Sequence, residues 1–333
     1  AGRGCRLSGY RYLAAADRWD ALPTGPVVGD SHCATAQAFA SGSRLYVLTT
    51  AKAGPQRLYS YDTDAGTWAT APAPKPADAP CTPTGMTFGI FCLTATPGSG
   101  ETLLRFQWFD YRRRTWTTGQ AQVGSGPWLT AAAHEIGRGG TDQVLLEVHA
   151  SGGAVTLAVW DAATGTLGRQ YSNPGTGADV AAAQVAGDRV FFAPPADPAA
   201  AGIAGTDARG RTGLLLDLTS GEWSSVEVPH PGGPLATTTP SDGAWALRYY
   251  GAGASGYVLV NGYLFDPVQN RWLAVAPLPA VEPGNGPHVW VGGSVLCRTS
   301  APLNCWGLSA GDLAASARVV TAEQISASNA QVR

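Results

Sequence analysis

Lysine is nearly missing from this chain: two of its 22 basic residues are Lys, the rest Arg, and a single Met occurs in 333 residues. Charged residues make up only 14% and the formal net charge is −2, so the composition lacks the electrostatic footprint of a nucleic-acid binder. No apolar run approaches the roughly 18 residues that a bilayer-crossing helix needs, and no membrane span is expected. Long helix-forming runs are scarce. No Cys-x-x-Cys pair occurs and the Cys and His residues are scattered, so neither a metal site nor another cofactor is expected. No Ser-His-Asp order, phosphate loop or paired-carboxylate motif stands out either. The start of the chain reads as a mature or trimmed end, and no signal peptide is expected within it.

What is there points to an all-β chain. Hydrophobic residues reach 44%, aromatics 9%, and 43 Gly with 24 Pro punctuate short apolar runs, the pattern of many short strands and tight turns. Six cysteines, an even number, suit an oxidising compartment, and secretion is the expectation. The Arg-, Ala- and Pro-rich composition also resembles that of exported proteins of high-GC bacteria. Cys81 and Cys92 flank a strand-turn-strand stretch, as do Cys297 and Cys305, leaving Cys5 and Cys33; those three bridges are expected.

A repeat organises the chain. "RLYSYDTDAGTW" puts Asp62 six residues before Trp68. The same spacing joins Asp110 to Trp116, Asp161 to Leu167, Asp217 to Trp223 and Asp266 to Trp272, with degenerate copies ending at Trp19 and Leu313. The period is close to 50 residues, which implies a radial or linear array. Each copy reads as four short strands, the third ending in Asp and the fourth opening on Trp. Four strands per unit make a propeller blade. The Asp caps the turn through its own side chain, and the Trp buries its ring against the adjoining blade.

The Tyr-x-Tyr-Asp pattern with its Trp six after the Asp resembles the kelch repeat and is similar to repeats in the central domain of galactose oxidase. The resemblance is to a divergent group. Kelch units carry Gly-Gly after the second strand, where this chain has Thr49-Thr50, Leu93-Thr94, Ala193-Pro194 and Arg298-Thr299. It implies one propeller domain over 1–333, with units at 24–70, 71–118, 119–169, 170–225, 226–274 and 275–320. A last blade would join both termini: residues 3–22 give its second to fourth strands, and 321–333 its innermost strand. Seven blades are expected, with six as the alternative. The copper-radical site of galactose oxidase is not carried over, because no matching Tyr-His ligand pair follows "GDSHC" at 29–33.

In such a ring the loops between blades and those joining strands two and three surround the channel mouth. Polar residues at the starts of first strands are candidates there. His32 and His288 are acid/base candidates near neutral pH, with Arg248 and Tyr249 supplying a cation and a phenol. Asp30, Trp128, Asp179 and Trp290, with Asp207 and Arg209 in the long 194–211 loop, are candidate ligand contacts; the indoles suit a sugar face. The residues at equivalent blade starts differ, which argues for one asymmetric site. The resulting expectation is a secreted, monomeric carbohydrate-recognising propeller taking a glycan or other small molecule. The alternatives are a polysaccharide lyase or other carbohydrate-active enzyme using those His, Tyr and Arg groups, and a protein-interaction scaffold. The basic run Arg112-Arg113-Arg114 reads as a solvated turn.

Overall fold

The structure is a computed structural model. It describes residues 5–13, 18–28, 35–50, 55–74, 82–97, 101–125, 128–136, 142–150, 155–172, 183–192, 212–229, 249–250, 257–260, 263–274, 288–291, 295–298, 305–307 and 314–330. The chain is an all-β propeller of antiparallel meanders. Four sheets of four strands occupy 35–71, 82–125, 128–172 and 184–227. We call these blades 1 to 4. Blade 5 covers 249–274 and blade 6, with three described strands, covers 288–307. Within each blade the strands pair in chain order, so every connection is local. The first strands of successive blades lie side by side: Thr35–Ser41 beside Thr82–Gly85, Trp128–Ile136 beside Gln184–Ala186, and Tyr249–Tyr250 beside His288–Val291.

The five Asp motifs build one hairpin five times. Asp62 Oδ1 accepts the Asp64 and Ala65 N–H groups at 3.1 and 3.0 Å. Asp110, Asp161, Asp217 and Asp266 accept the N–H groups two and three residues on in the same way. The residue four after each Asp is left-handed: Gly66, Arg114, Gly165, Gly221 and Asn270 have φ of 68, 55, 70, 80 and 47°. A four-residue loop ending in that conformation turns the strand without splaying the hairpin. The Trp two residues later then meets the preceding unit. Trp68 Nε1 donates to the Pro23 carbonyl at 2.9 Å, Trp116 Nε1 to Pro72 at 2.7 Å, and Trp272 Nε1 to Glu227 at 3.0 Å. The period of about 50 is therefore the 44 or 45 residues from the anchoring carbonyl to its indole, plus the four residues that separate that carbonyl from the preceding Trp.

Blade faces pack as a series of dry interfaces. Tyr46, Leu48 and Leu58 meet Ile90, Cys92 and Phe109 between blades 1 and 2. Phe91, Leu93, Phe106 and Trp108 meet Val144, Leu146 and Trp160 between blades 2 and 3, with Trp108 and Trp160 edge to face at 4.7 Å. Leu145, Leu157 and Tyr171 meet Val190, Phe192 and Leu216 next, and Phe191 meets Phe265 and Trp272 after that. At roughly 25 cal/mol per Å² of apolar surface removed from water, these interfaces are the main source of stability.

Two expectations about closure are corrected. Residues 5–8 do not add a second strand beside Tyr10–Leu13. They continue the same strand: Tyr10–Leu13 pairs Arg18–Ala21, and Arg6 bridges to Val27, with the Gly25 N–H on the Leu7 carbonyl at 2.9 Å. Nothing between Ser8 and Tyr10 reverses the chain, so one long hairpin forms and packs Leu7 on Val47 and Tyr59 of blade 1. The tail is not an innermost strand either. Arg318–Val320 adds a fifth strand outside Arg271–Ala274 of blade 5, and Ala322–Ala330 is a helix. Thr321 and Gln324 form a capping box, the Gln324 N–H on Thr321 Oγ1 at 3.3 Å and the Thr321 N–H on Gln324 Oε1 at 3.1 Å. That cap and the Ala-containing run favour helix over strand, and Ile325 seals the helix onto the blade 4–5 core.

Candidate functional site

Among the described residues, the one charged side chain that is completely buried lies in blade 3. In "QVLLEVHA", residues 143–150, side chains alternate between the two faces of the second strand. Val144, Leu146 and Val148 turn to blade 2; Leu145 turns to blade 4, and Glu147 and His149 share its face by the same alternation. Glu147 is 0% exposed. His134 Nε2 lies 2.6 Å from its Oε2, and His149 Nε2 2.5 Å from its Oε1. The backbone N–H of Ala183, at the start of blade 4, donates to Oε1 at 3.0 Å. An ionised carboxylate only accepts, so both imidazoles are held as Nε2–H donors. This leaves each Nδ1 turned away from the carboxylate. Burial alone would push the Glu147 carboxyl up; the hydrogen bonds and positive charge of His134 and His149 outweigh it and hold the group at about 2. The side chains of His134 and His149 keep 23% and 18% of their surface exposed.

Register fixes where this cluster lies. His134 is on the innermost strand opposite Leu145, Ala132 opposite Glu147, and Thr130 opposite His149. Trp128 opens that strand, opposite Ala150. His149 therefore stands near the end of the blade where Trp128 begins, and the Glu147 carboxylate links it to His134 further along the wall. Among the described residues no group of three or more His, Cys, Asp and Glu side chains is arranged to hold a metal ion; here both Nε2 atoms are taken up by the carboxylate.

A second polar nest sits at the other end of the same wall. Glu135 accepts the Thr87 N–H at 2.8 Å and the Thr87 hydroxyl as well, joining blade 3 to blade 2. Nearby, the Tyr111 hydroxyl is buried without a hydrogen-bond partner. Burial, then the neighbouring Tyr46 and Glu135, push its phenol well above the usual range.

Of the residues singled out from sequence, Asp30, His32, Asp179, Asp207, Arg209 and Arg248 lie outside the described residues. Tyr249 and His288 are placed by backbone on adjacent innermost strands, Tyr249 opposite Val260 and His288 opposite Arg298. Trp290 stands opposite Leu296. Cys297 is directly opposite Cys305. No free cysteine occurs among the described residues; Cys33 and Cys81 lie outside them. Sequence reasoning passed over Glu147 and His149. The available signal was a carboxylate inside an apolar strand run, with His two residues on, where strand alternation puts both on one face.

No family matches the chain, and no curated protein matches its sequence. Among solved structures it is similar to the β-propeller domain of the Trilobed protease from Pyrococcus furiosus, at 9% identity over 82% of each chain with a TM-score of 0.48. It is similar to TolB from Acinetobacter baumannii at 11% identity, over 76% of this chain and 57% of that one, TM-score 0.37. It is also similar to an oligogalacturonate lyase in complex with manganese, at 10% identity over 81% and 68%, TM-score 0.42. The chain thus spans little more than half of TolB. The fold assignment rests on the sheets and their interfaces, not on these likenesses. Among the described residues no helix is long and apolar enough to cross a membrane.

Proposed function

We propose that the protein is a secreted, monomeric carbohydrate-recognising propeller with one asymmetric ligand site between blades 3 and 4, at the inner end of their interface. The observation that carries this reading is the His134–Glu147–His149 group, in which a buried carboxylate orients two imidazoles from adjacent strands. No other blade has such a group among the described residues. Evenly repeated lectin sites would give several. His149 is the member that meets ligand in this reading, and Glu147 is a positioning residue. The divergent kelch-like units, the domain over residues 1–333 and the Cys5–Cys33, Cys81–Cys92 and Cys297–Cys305 pairings belong to the same proposal.

The second reading is a polysaccharide lyase, favoured by the same carboxylate-backed imidazole. With Nε2–H committed to Glu147, His149 Nδ1 is free to take the proton beside a uronate carboxylate. Titrating the full chain with neutral and uronate oligosaccharides by calorimetry, while following absorbance near ~235 nm for new double bonds, separates the two. Binding without absorbance change supports recognition, and turnover supports the lyase. If His149→Thr binds every tested glycan as the parent does, the site is misplaced.

A further inference from the structure

We propose that the Arg112-Arg113-Arg114 turn of blade 2 is a docking surface for a carboxylate-bearing polysaccharide; the inference rests on the carbohydrate reading above but uses a different part of the molecule. The five Asp hairpins are one structure with different fillings. Four of them fill the turn with Thr63-Asp64-Ala65-Gly66, Ala162-Ala163-Thr164-Gly165, Leu218-Thr219-Ser220-Gly221 and Pro267-Val268-Gln269-Asn270. The fifth reads Tyr111-Arg112-Arg113-Arg114. Its last residue is left-handed at φ 55°, where the others use Gly or Asn. A long L side chain is disfavoured in that region, and Gly is not. An unfavourable backbone state kept where the same chain shows the relaxed solution four times points to a requirement for the guanidinium.

The surroundings make the turn a fixed display. Tyr111 is buried beneath it, stacked on Tyr46 at 4.8 Å and edge to face with Phe109 at 6.3 Å. Asp110 caps it, and its Oδ2 lies 3.7 Å from Arg113 Nε. All three arginines are exposed, and Arg112 and Arg114 form no ion pair among the described residues. Arg112 and Arg114 thus stand exposed and unpaired on either side of Arg113, whose charge Asp110 partly offsets.

Guanidinium forks match carboxylates bidentately. Membrane association through anionic headgroups takes clusters of about 4–8 basic residues, and nucleic acid takes a basic face on a basic domain. This turn has three such residues, on a chain with pI ≈ 6.2. A polymer of uronates, presenting one carboxylate per sugar, fits a short row of forks on an otherwise near-neutral surface.

The test uses the full chain with polygalacturonate, neutral dextran and poly-glutamate as probes, reading affinity against salt alongside thermal midpoint. Arg114→Gly is expected to raise the midpoint by a few degrees, because Gly relaxes the turn. It is expected to weaken polygalacturonate binding about five- to tenfold and to flatten its salt dependence. Arg112→Gln should weaken binding similarly with no gain in midpoint. A raised midpoint with unchanged affinity overturns the proposal, as does equal binding of dextran or tighter binding of poly-glutamate. His149→Thr separates the two sites. Salt-dependent binding that survives His149→Thr but falls with the arginine variants supports this surface, whereas the reverse pattern removes it and leaves the blade 3 site standing.

Discussion

Blades 1 and 3 share a frame and differ in what they put between themselves and the next blade. In each, the row containing the capping Asp starts the second strand: Arg44 opposite Asp62, Gln143 opposite Asp161. Four residues along stand Leu48 and Glu147; blade 2 has Leu93 there, four after Gly89. The first-strand partner two rows earlier is Phe39 in blade 1, Thr84 in blade 2 and His134 in blade 3. Two rows after Leu48 stands Thr50, and two after Glu147 stands His149. The turn frame is therefore indifferent to the interface chemistry. An apolar interface needs only matched volume, whereas a charged one needs every donor and acceptor filled. Blade 3 meets that demand with three donors on one carboxylate.

The comparison breaks hardest if the charge is moved alone. Leu48→Glu would place a carboxylate among Tyr46, Leu58, Ile90 and Phe109, with no histidine to meet it. A loss of about 3–5 kcal/mol is expected, against total stabilities of about 5–15 kcal/mol. Urea unfolding followed by Trp fluorescence checks it. A midpoint near the parent's would mean that this interface admits water, and the contrast between the blades would collapse.

The reverse exchange is smaller. Glu147→Leu leaves two imidazole N–H groups and the Ala183 N–H without their acceptor, at an expected cost of about 2–3 kcal/mol. Replacing all three residues by the blade 1 set, His134→Phe, Glu147→Leu and His149→Thr, should recover part of that loss, because both imidazole donors leave with the acceptor and only the Ala183 N–H stays unpaired. Additivity of the separate changes in unfolding free energy would show that the three residues do not act as a unit.

Acid sharpens the same contrast without mutation. The Glu147 carboxyl is held at about 2 in the fold against an ordinary value of 4.5. A carboxyl depressed on folding contributes stability that is complete above its unfolded value and is lost as pH falls through its folded value. At about 1.4 kcal/mol per unit this contribution is about 3 kcal/mol, lost between roughly pH 5 and 2. Glu147→Gln should flatten that limb of the stability curve. Retention of the full limb in the variant would assign it to other carboxylates.

How much of this could be read from sequence divides along the same line. The Asp-to-Trp spacing survives because the turn is a local demand met in five blades, with the indole anchored to the preceding unit in three of them, so the units stood out. Interface chemistry is not local. Glu147 means little until strand register puts His134, 13 residues earlier, across from Leu145, and until Ala183 arrives from the next blade. The tail was misread because its apolar and polar residues fit either period, and the Thr321–Gln324 cap decided for helix.

The smallest effect separates two copies of the same anchor. Trp68→Phe keeps an aromatic ring against Tyr61, 5.1 Å away, and removes the Nε1 bond to the Pro23 carbonyl, which faces solvent. Water replaces the donor, so a loss of about 0.5 kcal/mol is expected. Trp272→Phe removes the equivalent bond to Glu227 where the ring is 3% exposed and packed on Phe191 and Phe265. Less water reaches that site, and the change also removes buried ring surface, so about 1.5–2 kcal/mol is expected. Thermal melts of both variants side by side check the ordering. Equal shifts would mean that the blade 1 anchor, which holds only the amino-terminal hairpin, is as dry as an anchor between two full blades.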